Sequence, residues 1–280
     1  MKKWNLIVEV AECHNCHNCF VTCKDEYVDN NFPGYSAPQP LHGHKWINIL
    51  AKERGQYPRV EAAYLPTMCN HCDNAPCIAA GQGAVTKRDD GIVIIDPQLA
   101  VGRKDLVEAC PYGAIWWNEE LRLPQAWTFD AHLLDRGWNE PRCVQSCPTG
   151  ALKSIKASDQ EMAAIIQAEQ LKPLAPEKNT KPRVYYKNLY LYDRLFIAGS
   201  IVAERAGVLD CVDQAQIELM KDGAVKASTQ SDIFGEYKID ALDENSGPYE
   251  LRISHREFKT KSITTELANE SVVLAPIYLV

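Results

Sequence analysis

The sequence lacks any apolar run long enough to cross a membrane. Its longest clean stretch, Phe196 to Ala203, falls far short of about 18 residues. It also lacks the pattern of a secretory leader: the start, MKKWNLIVEV, has two lysines but then Trp4, Asn5 and Glu9. These absences predict a cytoplasmic chain with no direct membrane insertion, unless a partner that carries a signal takes it out. Positive charge is in deficit, with 30 Lys+Arg against 37 Asp+Glu and a net charge of −7, which argues against nucleic acid as a partner. There is no Walker loop, no dinucleotide fingerprint and no nucleophile–base pair, so no catalytic residue is expected on this chain. Beyond residue 147 only one cysteine remains, Cys211.

The other ten of the eleven cysteines lie between residues 13 and 147. Cys13, Cys16, Cys19 and Cys23 read C-x2-C-x2-C-x3-C, and Cys69, Cys72 and Cys77 read C-x2-C-x4-C. Cys110 and Cys147 each precede proline, in CPYGA and CPTGA. Disulfides are disfavoured by C-x2-C spacing in a non-secreted chain of this size. Zinc sites usually join two C-x2-C halves and need no third cysteine two residues on. The triple C-x2-C-x2-C with a remote C-P suits [4Fe–4S] clusters, in which the fourth cysteine of a run serves the other cluster of a pair. By that rule Cys13, Cys16 and Cys19 take Cys147 as fourth ligand, and Cys69, Cys72 and Cys77 take Cys110. Two complete clusters result, and Cys23 and Cys143 are left over. His14, His17 and His71 lie between ligand cysteines, where side chains tune a cluster without ligating it.

A length of 280 residues with 46% apolar content suggests two domains, or three small ones. Residues 1–155 read as a loop-rich cysteine domain with strands at Leu6–Val10 and Ile92–Ile95. Ser158 opens a helix, with Glu161 completing a capping box and Met162, Ile165 and Ile166 on one face. Prolines and an aromatic-rich stretch, Arg183–Phe196, make residues 156–195 a connecting arm suited to packing on the cluster domain or a partner. Residues 196–280 alternate as short strands, with turns at Asp222-Gly223, Phe234-Gly235 and Ser246-Gly247-Pro248. The expected class is α+β: a ferredoxin-like poly-[4Fe–4S] domain, then a small all-β sandwich of immunoglobulin or transthyretin type. Cys211 reads there as a buried small apolar residue.

The chain resembles the iron–sulfur subunits of the dimethyl sulfoxide reductase superfamily of molybdopterin enzymes. Within it, the chain looks like the small subunits of pyrogallol–phloroglucinol transhydroxylase and resorcinol hydroxylase. The resemblance is carried by ECHNCHNCFVTCKDEY, MCNHCDNAPCIAAGQGAV, RDDGIVIIDP, EACPYGAIWWNEE, DAHLLDRGW and KPRVYYKNLY. It extends through AGSIV, SDIFGEYKIDAL and PYELRI, so it covers nearly the whole chain. It implies a large partner with molybdenum or tungsten bound by molybdopterin guanine dinucleotide. The complex would act on polyhydroxylated benzenes, either by moving a hydroxyl between phenols or by hydroxylating resorcinol and exporting two electrons. The cluster of Cys13, Cys16, Cys19 and Cys147 would lie nearest the molybdenum.

Two departures from the superfamily stand out. Four-cluster relatives have cysteines where this chain has Gly81, Ala100, Arg103 and Leu106. A further C-x2-C is expected where this chain has Trp127-Thr128-Phe129-Asp130, leaving only Cys23 and Cys143 for a third site. Three readings of that site stand open. It is empty, with Trp127 filling the space; or Asp130 is a third ligand of an atypical cluster; or His132 is. An empty site would leave a long gap between the two complete clusters, which a transhydroxylase tolerates better than a net hydroxylase. The other readings of the whole chain are a free-standing polyferredoxin, the iron–sulfur subunit of another molybdopterin reductase, and a zinc-stapled scaffold.

Overall fold

A computed structural model describes residues 1–280. The chain divides into two units, residues 1–51 with 64–189, and residues 52–63 with 190–280. The arm expected over 156–195 is therefore not a segment of its own. Most of it folds into the first unit, because Val184–Lys187 runs parallel to the N-terminal strand Lys3–Glu9.

Lys3–Glu9 is a central strand of the first unit's sheet. Leu152–Ala157 pairs antiparallel on one side, and Val184–Lys187 parallel on the other, edged by Lys172–Pro173. Leu6 and Val8 are wholly buried there. The helix Asp159–Ala168 starts at the expected Ser158 capping box, with both reciprocal hydrogen bonds formed. Its Met162, Ile165 and Ile166 pack with Ile7, Ala157 and Leu171. The rest is short: the hairpins Val85–Lys87/Val93–Ile95 and Trp116–Asn118/Leu123–Gln125, and several one-turn helices. The longer hairpin Ile47–Gln56/Arg59–Met68 starts and ends in this unit.

The second unit has two sheets around one apolar core. In one, Leu195–Arg205 pairs antiparallel with Val208–Cys211 and Glu236–Leu242, and parallel with Val272–Val273 and Ile277–Leu279. The other runs Ala224–Gln230, Gln216–Lys221, Gly247–His255, Phe258–Leu267. The expected alternation holds: Ile217, Leu219, Tyr237, Ile239, Leu251 and Ile253 all point into the core. In the turn before Glu236, Asp232 Oδ1 accepts from the N–H groups of Phe234 and Glu236, each at 2.9 Å. Gly235 closes it at φ +73°, where a Cβ would collide with the Ile201 carbonyl. Cys211 departs from expectation. It is exposed, because it ends an outer strand whose residues are all solvent-facing. The segment 52–63 belongs to this unit through Arg54, whose buried guanidinium donates to Asp240 Oδ1 at 2.9 Å, Arg194 O at 3.0 Å and Glu61 Oε2 at 3.1 Å. No helix in the chain is long and apolar enough to cross a membrane.

Candidate metal centres

The first four thiols meet where the loop after Lys3–Glu9 enters the helix Asn18–Tyr27. Asn15 and His17 adopt left-handed conformations (φ +57° and +61°), which curl the loop around its cysteines. Cys147 arrives from the turn after the one-turn helix Arg142–Gln145. Cys13, Cys16, Cys19 and Cys147 line one recess, walled by Ile49, Pro66 and Leu152. Burial pushes the Cys13 thiol up, and charge on Cys147 and Cys16 adds to it, while the Asn15 N–H works the other way. Burial pushes Cys19 up to about 12, with Cys13 the next cause. Such a group ionises together only when something cationic sits among the sulfurs.

The second four are Cys69, Cys72, Cys77 and Cys110. Burial holds Cys69 well above the ordinary thiol value, helped by Cys110. Burial raises Cys77 to about 11, with Cys110 and Cys72 next in effect. Cys69 and Cys77 open onto a recess walled by Val93, Ile95, Ile115 and Leu123. Ser36 and Trp46 line it too; their Oγ and Nε1 are buried without a partner. Orphaned buried donors beside thiolates suit a group rich in acceptor sulfur. The first foursome suits a [4Fe–4S] cluster in its donor set and shared recess, the second in its donor set and the orphaned donors beside it.

His71, between Cys69 and Cys72, is buried, and its Nδ1 accepts from the Val93 N–H at 3.1 Å. Burial, aided by Lys87, lowers its pKa to about 3, so the ring is neutral with its proton on Nε2. Lys87 sits against the same loop and donates to the carbonyls of His71 and Cys72, each at 2.8 Å. Neither Lys87, Ser36 nor Trp46 was marked by sequence spacing, since each is brought in by tertiary folding alone. His14 and His17 are exposed.

Cys23, Cys143 and Asp130 also come together. Asp130 and Cys19 figure among the charges raising Cys23 and Cys143, after burial as the main cause. Asp130 is 2% exposed, and both its oxygens are taken. Oδ1 accepts from the Tyr27 hydroxyl at 2.8 Å and Trp127 Nε1 at 3.0 Å; Oδ2 accepts from the Arg142 N–H at 2.8 Å. Burial raises its pKa, and those three donors pull the other way. Trp127, also buried, stacks on Phe129 at 4.8 Å, and His71 lies 5.6 Å from it. His132 is turned elsewhere: its Nε2 meets Glu26 Oε1 at 2.8 Å, and its ring stacks on Phe32 at 3.8 Å.

Residues 60–156 match the family described as 4Fe-4S dicluster domain. The chain is 42% identical to the pyrogallol hydroxytransferase small subunit of Pelobacter acidigallici, over 100% of both chains. It is 32% identical to a tetrathionate reductase subunit of Salmonella typhimurium, over 67% of this chain and 73% of that one. It is 26% identical to the arsenate respiratory reductase iron-sulfur subunit of a Shewanella species, over 65% of this chain and 94% of that one.

Proposed function

Because the chain belongs to the family of iron–sulfur small subunits of molybdopterin oxidoreductases that includes pyrogallol hydroxytransferase small subunit, we propose that it carries electrons on two [4Fe–4S] clusters, beside a large molybdopterin-bearing subunit that acts on polyhydroxylated benzenes. Cys13, Cys16, Cys19 and Cys147 hold one cluster; Cys69, Cys72, Cys77 and Cys110 hold the other. The clusters supply one-electron transfer. The chain's own residues bury the sulfurs, aim backbone N–H groups at them and exclude water. The bond chemistry belongs to the partner. The complex is cytoplasmic, and the second unit is a sandwich of immunoglobulin or transthyretin type that serves assembly.

The third position holds no cluster. The observation that carries this is the Asp130 carboxylate, which already accepts three hydrogen bonds in a dry pocket. Ligation through Oδ1, which already accepts two of them, would break one and strand a buried donor, at roughly 1–3 kcal/mol. Trp127 and Phe129 fill the neighbouring space. Electrons therefore have no intermediate stop between the two clusters. Tryptophan and tyrosine do not serve as one, because oxidising them needs potentials far above the range of such clusters, which tops out at about +450 mV. A reaction that moves a hydroxyl from one phenol to another balances its electrons within the partner's site and needs no outlet, which favours the transhydroxylase type over net hydroxylation.

Anaerobic purification from the native host tests the reading. The expected result is co-purification with a large molybdenum or tungsten subunit and about eight irons per copy of this chain. About twelve irons would put a cluster on Cys23, Cys143 and Asp130. A stable, iron-bearing monomer would leave a free-standing carrier instead, and zinc without iron a stapled scaffold.

A further inference from the structure

We propose that Lys87 sets the reduction potential of the cluster held by Cys69, Cys72, Cys77 and Cys110, acting as a fixed cation fastened to the loop that bears two of the ligands. This rests on the reading that those four cysteines hold a cluster. Lys87 ends the short strand Val85–Lys87, which antiparallel pairing with Val93–Ile95 sets against residues 71–73. Its ammonium has three protons and three oxygen partners: His71 O and Cys72 O at 2.8 Å, and Asp73 Oδ1 at 2.9 Å. Its side chain is only 20% exposed, so the charge is poorly screened.

Two effects act in the same direction. The first is charge. Reduction adds an electron to the cluster, and a nearby cation favours the reduced form. Asp73 does not cancel Lys87, because it is shared with Arg183 and, at 3.9 Å, Lys3. Asp159 pairs with the same Arg183 and Lys3. The local set is three cations to two carboxylates. The second effect is the peptide dipole. In a trans peptide the C=O and the N–H point opposite ways. Lys87 holds the carbonyl of the His71–Cys72 peptide, which turns the Cys72 N–H away from the lysine. Hydrogen bonds to ligand sulfur and nearby charge are both levers on cluster potential.

A bland role exists as well: the same three bonds staple the loop. The experiment separates the two with the full chain in its complex, purified anaerobically, by redox titration followed by electron paramagnetic resonance. Lys87→Gln keeps N–H donors but removes the charge. Lys87→Arg keeps the charge. In Lys87→Gln one cluster is expected to drop in midpoint, with about tenfold less reduced form at a fixed potential, which is about 59 mV for one electron. The other cluster stays put, and Lys87→Arg stays within about threefold of the unaltered protein. Unmoved midpoints, equal movement of both clusters, or equal shifts in the two variants would overturn the assignment. So would loss of about four irons in either variant, which would make the lysine a staple alone. An unaltered protein with no cluster signal would instead sink the functional reading on which this one stands.

Discussion

Two places in the first unit, which the resemblance sets against ligand positions of four-cluster relatives, are filled by opposite chemistry. Around Gly81, Ala100, Arg103 and Leu106 the filling is hydrocarbon. Ala100 and Leu106 are wholly buried with Ala84, Val85 and Val93. Arg103 reaches the end of the helix Pro76–Gly81 and donates to the carbonyls of Ala80 and Gly81 at 2.7 and 3.2 Å. Around Cys23 and Cys143 the filling is polar and aromatic, centred on Asp130 and Trp127. Both arrangements satisfy the same demand: a dry interior tolerates neither a void nor an unpaired donor. They differ in what they keep. The first keeps no thiol. The second keeps two, Cys23 and Cys143, both buried.

Restoring cysteines breaks or confirms that contrast most sharply. The pair Trp127→Cys with Asp130→Cys, reconstituted anaerobically, is expected to raise iron by about four atoms per chain. Cysteines at Gly81, Ala100, Arg103 and Leu106 together are expected to add none. A side chain at Gly81 would lie 2.8 Å from Val85 Cγ2, and the replaced Arg103 would take its guanidinium from the Ala80 carbonyl at the helix end. Equal iron uptake by both sets would erase the difference.

Stability measures it next. Asp130→Ala strands two buried donors, Trp127 Nε1 and the Arg142 N–H, while the Tyr27 hydroxyl keeps Thr128; it should cost about 4 kcal/mol, against about 3 kcal/mol for the cavity left by Leu106→Ala. Thermal bleaching of the cluster absorbance ranks the two variants; a smaller loss for Asp130→Ala would mean that the carboxylate is a tolerated guest and not a latch. The smallest effect lies five residues on. Asp135 bounds the same one-turn helix as Asp130 but faces out, and hydrogen bonds from Arg88, the main cause, hold its pKa down to about 2. A depressed carboxyl contributes stability above its unfolded pKa and loses it as pH falls through about 2. Asp135→Asn should therefore cost under about 1 kcal/mol at neutral pH, the pair being partly exposed. That difference should fade between about pH 4 and pH 2, where acid titrations of the two proteins should converge.

The meeting of Cys13, Cys16 and Cys19 with Cys147 at one recess was legible because paired motifs leave a mark in spacing. The helix after Ser158 and the alternating strands at Ile217, Tyr237 and Leu251 were legible for a similar reason: caps and pleats act over a few residues. What could not be read was long-range. Nothing local says that Val184–Lys187 lies beside Lys3–Glu9, that the Arg142 N–H closes on Asp130, or that Lys87 grips the second ligand loop. The outer-edge position of Cys211 was missed because a single cysteine carries no periodicity of its own.

The buried Arg54 has a consequence for the order in which the protein is made. Its carboxylate partner Asp240 lies 186 residues further along the chain. At about 5–20 residues per second a ribosome needs roughly 10–40 s to cover that interval. The hairpin tip is therefore a promise made early in synthesis and kept near its end. A message cut short after residue 189 would yield all ten cysteines between residues 13 and 147, yet leave the guanidinium with neither Asp240 nor the carbonyl of Arg194 to receive it.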